Sequence, residues 1–175
     1  ATEVPELTEE SAKAFLEMIF ALPEVSNLFH GAVVSIVKDG EVLAEEGFGL
    51  ADIEKNEAVD PENTVFRIAS VSKVFTAVAV MQLVEQGKID LDEDIQTYLG
   101  DISYENPIGE PVTVAHLLTH TTGFEVRDPK QSDIHTDFDL IVDMEDYIRE
   151  HMPSVVREPG SAYMYDNFAS LLQGY

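Results

Sequence analysis

The stretch Ala69-Ser-Val-Ser-Lys-Val-Phe-Thr-Ala-Val-Ala-Val80 places Ser70 three positions before Lys73, at the head of an apolar segment. The mainly apolar pattern continues to Gln86, and the next residue is Gly87. Glycine commonly ends a helix. Because the apolar residues point to nearly every side, the pattern predicts a buried central helix over 70–86. The chain has only ten basic residues, so a lysine in such a helix calls for a physical explanation.

Two interpretations of Ser70 and Lys73 are open at this level. Positions i and i+3 share a helix face, so the Lys73 amine can approach the Ser70 hydroxyl. A serine becomes a nucleophile when a nearby base takes its proton, and lysine is such a base where an apolar surrounding disfavours its charged form. Five neighbouring side chains are expected to supply that apolar wall: Val71, Val74, Phe75, Ala77 and Val78. The Ser70 amide, at the helix start, would then stabilise an oxyanion. Alternatively, Ser70 caps the helix and Lys73 extends from the first turn into water.

A second Ser-x-x-Lys copy, Ser35-Ile-Val-Lys38, lies in a different predicted structure. Residues 31–37 are apolar and β-branched, Asp39-Gly40 is a turn signal, and residues 41–49 return, which predicts a β-hairpin. Residues three apart in a strand point to opposite faces. The Ser35 and Lys38 side chains are therefore not expected to act together.

The remaining pattern is mainly helical. Thr8 begins an amphipathic helix that Pro23 is expected to stop and that is expected to cover a sheet. Residues 50–64 are polar and predict a loop. Further short helices are predicted at 94–98, 112–119, 139–151 and 167–175.

Composition excludes several classes of function. The 175 residues include 34 acidic against 10 basic side chains, a net charge of −24, which argues against nucleic-acid binding. There is no cysteine, which rules out disulfides, thiolate metal sites and a cysteine nucleophile within this sequence. The longest mostly apolar run, residues 74–84, is too short to cross a bilayer.

Two acidic clusters are weak metal candidates. Asp90, Asp92 and Asp94 imitate the start of a calcium loop, but Ile95 stands where that loop needs glycine. The cluster of Asp133, His135, Asp137 and Asp139 has no regular ligand spacing, so a solvated acidic loop is the preferred interpretation. The sequence therefore predicts no metal site and no cofactor.

Three segments, in order, resemble the serine β-lactamase and penicillin-binding protein superfamily in its class C-like branch. The first, residues 65–76 with 83–94, is similar to the active-serine helix of that family. Residues 112–123 are similar to its His-Thr-Ser-Gly segment, with Thr122 in place of serine. Residues 159–167 are similar to its Pro-Gly lead-in and Tyr-x-Asn motif, with Asp166 where serine is common. The likeness runs from Gly31 to Tyr175.

This resemblance implies an α/β fold of the β-lactamase/transpeptidase type, with an antiparallel sheet flanked by helices and an inserted all-helical domain. Residues 1–68 would be the N-terminal part of the α/β domain, and residues 69–175 the active-serine helix and a truncated helical domain. The family's third element, Lys/His-Thr/Ser-Gly on an inner strand, does not occur after Asn167. The chain is therefore expected to lack the C-terminal strands, and to be inactive without a continuation or a second polypeptide.

The resemblance also assigns roles. Ser70 is implied as the nucleophile, Lys73 and Tyr165 as the groups that transfer protons, and Asn167 as the holder of the substrate carbonyl. The implied substrates are D-amino-acid peptides, β-lactams or small esters. A non-catalytic binding or regulatory module with the same fold is the alternative, favoured by the missing third element. A second Tyr-x-Asn copy, Tyr104-Glu-Asn106, precedes a proline in a polar loop and predicts a turn.

Location follows from the resemblance alone. Most members of the family act outside the cytoplasmic membrane, so an extracytoplasmic protein is expected, with the cytoplasm left open. The sequence starts at Ala1 without a methionine, which fits a cleaved leader or a trimmed chain.

Overall fold

The computed structural model describes residues 6–126 and 141–175, and the chain forms two compact units, Ala1–Arg67 and Ile68–Tyr175. Within the described residues, no helix has the length and apolar character that a membrane crossing requires. The functional assignment of the two predicted domains stays a prediction.

The first unit is a helix packed on a small antiparallel sheet. Its elements are α1 (Glu9–Phe20), α2 (Pro23–Ser26), β1 (Gly31–Lys38), β2 (Glu41–Asp52) and β3 (Glu57–Ala58), with the strands in the order β1-β2-β3. The predicted hairpin is confirmed. The loop predicted over 50–64 is shorter than expected, because β2 extends to Asp52 and pairs with β3.

The N-terminus of α1 has the expected cap, but the chain after α1 differs from the expectation. Thr8 accepts a hydrogen bond from the Ser11 amide, and the Ser11 side chain bonds back to the Thr8 amide, so two free helix N–H groups are satisfied. Pro23 does not simply stop a helix. It stands at the first position of α2, where its missing N–H costs nothing.

The core of the first unit lies between α1 and β2. Ala12 and Leu16 of α1 and Ala44 of β2 are buried together. The Phe20 ring stacks on that of Phe48, with 3.9 Å between centroids and 8° between planes. The expectation that this helix covers a sheet is confirmed.

The second unit is built from short helices around the segment quoted above. A 3-10 turn over Ala69–Val71 leads into α3 (Ser72–Glu85), and a second 3-10 turn covers Ile95–Thr97. Then follow α4 (Val114–Leu118), α5 (Met144–His151) and α6 (Asn167–Gly174). The helix predicted from 139 begins only at Met144 because Asp143 caps it, accepting a hydrogen bond from the Asp146 amide.

One cluster of apolar side chains holds the second unit together. Its largest fully buried members are Phe124, Ile148, Val112 and Val155. Around them pack buried residues from several helices and turns: Val80, Ile95, Leu99, Ile102, Val114, Leu117, Ala169 and Leu172. The cluster joins α3, α4, α5 and α6.

The prediction that α3 is buried on nearly every side is wrong for the described residues. Val80 is its only buried residue there. Val74 and Phe75 keep 59% and 68% of their surface, and Val71, Val78 and Met81 are also exposed. The reason is that the core of the second unit packs against only one side of this helix.

The packing of the core predicts that replacing two isoleucines of the second unit changes the free energy of unfolding by different amounts. Ile148 is 0% exposed and Ile141 is 91% exposed. We expect Ile148→Ala to lower the free energy of unfolding by about 2–5 kcal/mol, because it leaves a cavity. Ile141→Ala should change it by less than about 0.5 kcal/mol. Urea denaturation of both variants measures this; equal effects would contradict the described packing.

Candidate active site

Ser70 and Lys73 meet as their spacing suggested. Ser70 lies in the 3-10 turn and Lys73 in the first turn of α3, and the Lys73 ammonium donates a hydrogen bond to Ser70 Oγ at 3.1 Å. Ala69, directly before Ser70, has φ +45°, in the left-handed region that residues with a Cβ seldom occupy. The turn that presents the serine is therefore conformationally strained.

A third group reaches the same oxygen from far along the chain. The Tyr165 hydroxyl lies 2.7 Å from Ser70 Oγ, to which it donates a hydrogen bond. The Lys73 ammonium is 5.2 Å from the centroid of the Tyr165 ring. One serine oxygen thus contacts both an amine and a phenol, which is an arrangement suited to moving its proton.

The contacts of Tyr165 change the acidity of its phenol. The interaction with Lys73, and then the hydrogen bond with Ser70, lower the pKa of Tyr165 below the usual tyrosine range. An ammonium group favours the phenolate over the neutral phenol. Because the Tyr165 side chain is 40% exposed, the site is open to solvent in the described residues.

The apolar surrounding expected for Lys73 is not present in the described residues. The apolar wall was expected from Val71, Val74, Phe75, Ala77 and Val78, but all of these except the half-buried Ala77 are exposed. They lie on α3 or directly before it, without a covering layer from the second unit. The described geometry therefore gives Lys73 a hydrogen bond to Ser70, without the enclosure that the sequence argument assumed.

Backbone hydrogen bonds between two segments place Tyr165. The Gly160 amide donates to the Thr121 carbonyl and the Met164 amide to the His120 carbonyl, both at 2.8 Å. The Gly123 carbonyl accepts from two amides, those of Val156 and Arg157. The segment after α4 and the segment before α6 are thus joined by backbone hydrogen bonds. These bonds bring the second and third family-like segments next to each other in space.

Asp166 and Asn167 form the start of α6. Asp166 Oδ1 accepts a hydrogen bond from the Phe168 amide at 2.8 Å and so caps this helix. Asp166 is buried, burial raises the pKa of its carboxyl, and Oδ2 has no hydrogen-bond partner among the described residues. Asn167 is the first residue of α6 and is exposed, and its amide bonds to none of Ser70, Lys73 and Tyr165.

The second copies of both motifs have other partners. The Lys38 ammonium lies 3.5 Å from the Leu7 carbonyl, to which it donates, and not against Ser35. The Tyr104 hydroxyl donates to Asp94 Oδ1 at 3.0 Å, and burial followed by the Asp94 charge raises the pKa of Tyr104 to about 12. Asn106 closes a turn, since its side chain bonds to the Glu110 carbonyl and the Gly109 amide.

Of the two weak metal candidates, only the first lies within the described residues. Asp90 accepts from the Asp92 amide, and Asp94 accepts from the Gln96 amide and the Tyr104 hydroxyl. These carboxylates act in turns and caps. The other cluster, residues 133–139, lies outside the described residues.

His120 also contacts the site, although the sequence patterns did not predict this contact. Its ring centroid is 4.6 Å from that of Tyr165, and its Nδ1 accepts a hydrogen bond from the Asp166 amide at 3.1 Å. Its signal was its place inside the His-Thr-Ser-Gly-like segment.

Comparison with known proteins identifies the family of this chain. The sequence model of the family described as Beta-lactamase matches residues 17–175. The human mitochondrial serine β-lactamase-like protein LACTB is 42% identical over 95 residues, 53% of this chain and 17% of LACTB. The esterase EstB of Burkholderia gladioli is 38% identical over 119 residues, 67% of this chain and 30% of EstB.

Solved structures share the fold. EstCE1, a hydrolase with promiscuous acyltransferase activity, matches with a TM-score of 0.79 and 26% identity, covering 95% of this chain and 46% of EstCE1. Class C β-lactamases and a penicillin-binding protein homologue are among the other structures with this fold. The predicted resemblance and the β-lactamase-like α/β fold are confirmed. The chain spans less than half the length of LACTB, of EstB and of EstCE1.

The site predicts how the Tyr165 phenol responds to loss of the amine. In Lys73→Met, we expect the pKa of Tyr165 to rise toward the ordinary tyrosine value of about 10, because the group that favours the phenolate is gone. Ultraviolet titration, with Tyr165→Phe subtracted to isolate this phenol, measures the change. Lys88→Met, which removes an exposed lysine beyond α3, is the matched control. An unchanged titration in Lys73→Met would contradict the assigned cause.

Proposed function

Since this chain belongs to the β-lactamase family, we propose that the intact protein carrying it is a serine hydrolase or acyltransferase that forms an acyl-enzyme through Ser70. The observation that supports this most directly is the double contact on Ser70 Oγ, from Lys73 at 3.1 Å and Tyr165 at 2.7 Å. Neither helix capping nor exposure to water requires a tyrosine from 95 residues away to meet that oxygen.

In the proposed reaction, Ser70 Oγ attacks the substrate carbonyl carbon while its proton passes to the base. The carbonyl π electrons move to oxygen, and their return expels the leaving amine or alcohol, which takes up the proton. The acyl group is then bonded to Ser70 Oγ. Water, or an acceptor amine or alcohol, attacks this ester in the same manner and restores the serine.

We assign Tyr165 as the principal base and Lys73 as the group that holds its phenolate. The support is that Lys73 is the largest cause of the lowered pKa of Tyr165, whereas among the described residues no apolar layer encloses Lys73 itself. A base is most effective when its pKa approaches the working pH. Asn167, exposed at the start of α6, is proposed to hold the carbonyl group of the substrate.

The proposed substrates are small esters, D-amino-acid peptides or β-lactams. An esterase and a hydrolase with acyltransferase activity among the compared proteins support carbonyl substrates of this kind. The Lys/His-Thr/Ser-Gly element is not in this sequence, so the proposal includes a further segment or polypeptide that completes the site. An extracytoplasmic location stays a prediction by analogy, since LACTB is mitochondrial.

Covalent labelling tests the nucleophile. The intact protein is incubated with a fluorescent β-lactam and, separately, with an alkyl phosphonate ester that traps active serines, and the adduct is mapped by mass spectrometry. We expect an adduct on Ser70 that is absent in Ser70→Ala. Ser35→Ala, the serine of the second Ser-x-x-Lys copy, should label normally. Absence of any adduct would favour the non-catalytic binding module instead.

The pH dependence tests the base. If Tyr165 acts as the phenolate, kcat/KM for an activated ester rises with pH as the phenol loses its proton. Because the pKa of Tyr165 is lowered, this rise occurs below the usual tyrosine range. We expect Tyr165→Phe to lose about 10²–10⁴-fold in kcat, together with that rise. A variant that keeps both the rate and the pH profile would exclude Tyr165 as the base.

A further inference from the structure

We infer that His120 is a positioning residue for Tyr165, and that the hydrogen bond accepted by its Nδ1 fixes the phenol against Ser70. This inference rests on the proposed function, since it concerns the residue assigned there as the base. His120 touches none of the reacting atoms and acts through Tyr165. His120 contacts the segment around Tyr165 at three points: its backbone carbonyl, its Nδ1 and its ring.

The first point of attachment is the backbone of His120. Its φ of +56° lies in the left-handed region, where histidine, asparagine and aspartate are found more often than other residues with a Cβ. In this conformation its carbonyl accepts the Met164 amide at 2.8 Å. The residue just before Tyr165 is thereby held.

The second point is the side chain. Nδ1 accepts a hydrogen bond from the Asp166 amide at 3.1 Å, so a lone pair of this nitrogen faces the backbone. The residue just after Tyr165 is thereby held as well. One histidine thus bonds to the backbone on both sides of Tyr165.

The third point is the ring itself. It lies 4.6 Å from the Tyr165 ring at a tilt of 38°, and 5.9 Å from the Tyr163 ring in an edge arrangement. Tyr165 is 40% exposed, and the His120 ring covers part of the remainder. The distance of 2.7 Å from its hydroxyl to Ser70 Oγ therefore depends on the segment that His120 holds.

Two variants distinguish the role of the Nδ1 hydrogen-bond acceptor from the role of the His120 ring. His120→Asn places Oδ1 where Nδ1 stands and tolerates the left-handed backbone, but it removes the ring. His120→Phe keeps a ring and removes the acceptor. The matched control is His151→Ala, because His151 also stacks on a tyrosine, Tyr147, and its Nδ1 lies 3.0 Å from a backbone carbonyl.

The first measurement does not depend on turnover. Ultraviolet titration of the intact protein, with Tyr165→Phe subtracted, follows the phenol of Tyr165. We expect its pKa to stay lowered in His120→Asn and His151→Ala and to rise toward about 10 in His120→Phe, because the phenol leaves Lys73 and Ser70. If His120→Phe does not fold, as judged by circular dichroism, His120→Asn decides: a pKa that rises there overturns the inference.

The second measurement is kinetic. A displaced base slows the chemical step without weakening substrate binding, so we expect His120→Phe to lose about 100-fold in kcat with KM unchanged. His120→Asn should keep most of the rate, with an unshifted pH profile. Equal loss in both variants, or a change confined to KM, would overturn the inference. Failure of Ser70 to label would instead contradict the proposed function, and the titration would still decide the role of His120.

Discussion

The hydrogen bonds between the backbone of residues 120–123 and that of residues 156–164 are the constraint on which the site depends. They join the segment after α4 to the segment before α6, far apart in sequence. They hold Tyr165, which is 40% exposed, in its approach to Ser70. The site is thus an outcome of main-chain pairing between loops, with the helices supplying the serine and the amine.

Such a constraint explains why local patterns were ambiguous. The chain holds two Ser-x-x-Lys copies and two Tyr-x-Asn copies, and within the sequence each pair differs only in its surroundings. In the structure, Lys38 contacts the Leu7 carbonyl and Tyr104 contacts Asp94, so these copies serve local structure. A motif gains chemical meaning when tertiary contacts bring a second group to it.

Sequence reasoning located the start of α1 and the hairpin because their causes are local: Thr8 caps α1, and Asp39-Gly40 turns the hairpin. It brought Ser70 and Lys73 together because i and i+3 share a face. It did not foresee the left-handed backbone of Ala69, because alanine seldom adopts that conformation. It did not foresee the contact between His120 and Tyr165 either, because the two residues are brought together by the pairing of separate segments. It also overestimated the burial of α3, because an apolar pattern shows what a helix can bury and not what is there to cover it.

The exposed side of α3 bears on how the chain behaves in solution. A row of apolar side chains, Val71, Val74, Phe75, Val78 and Met81, faces outward on a chain whose net charge is −24. Mutual repulsion of that charge keeps copies of the chain apart at low ionic strength. At physiological salt the screening length falls to about 8 Å, so the repulsion weakens while the attraction between apolar surfaces does not. The acidic surface therefore opposes association between copies of the chain, and the ionic strength of the buffer determines how strongly it does so.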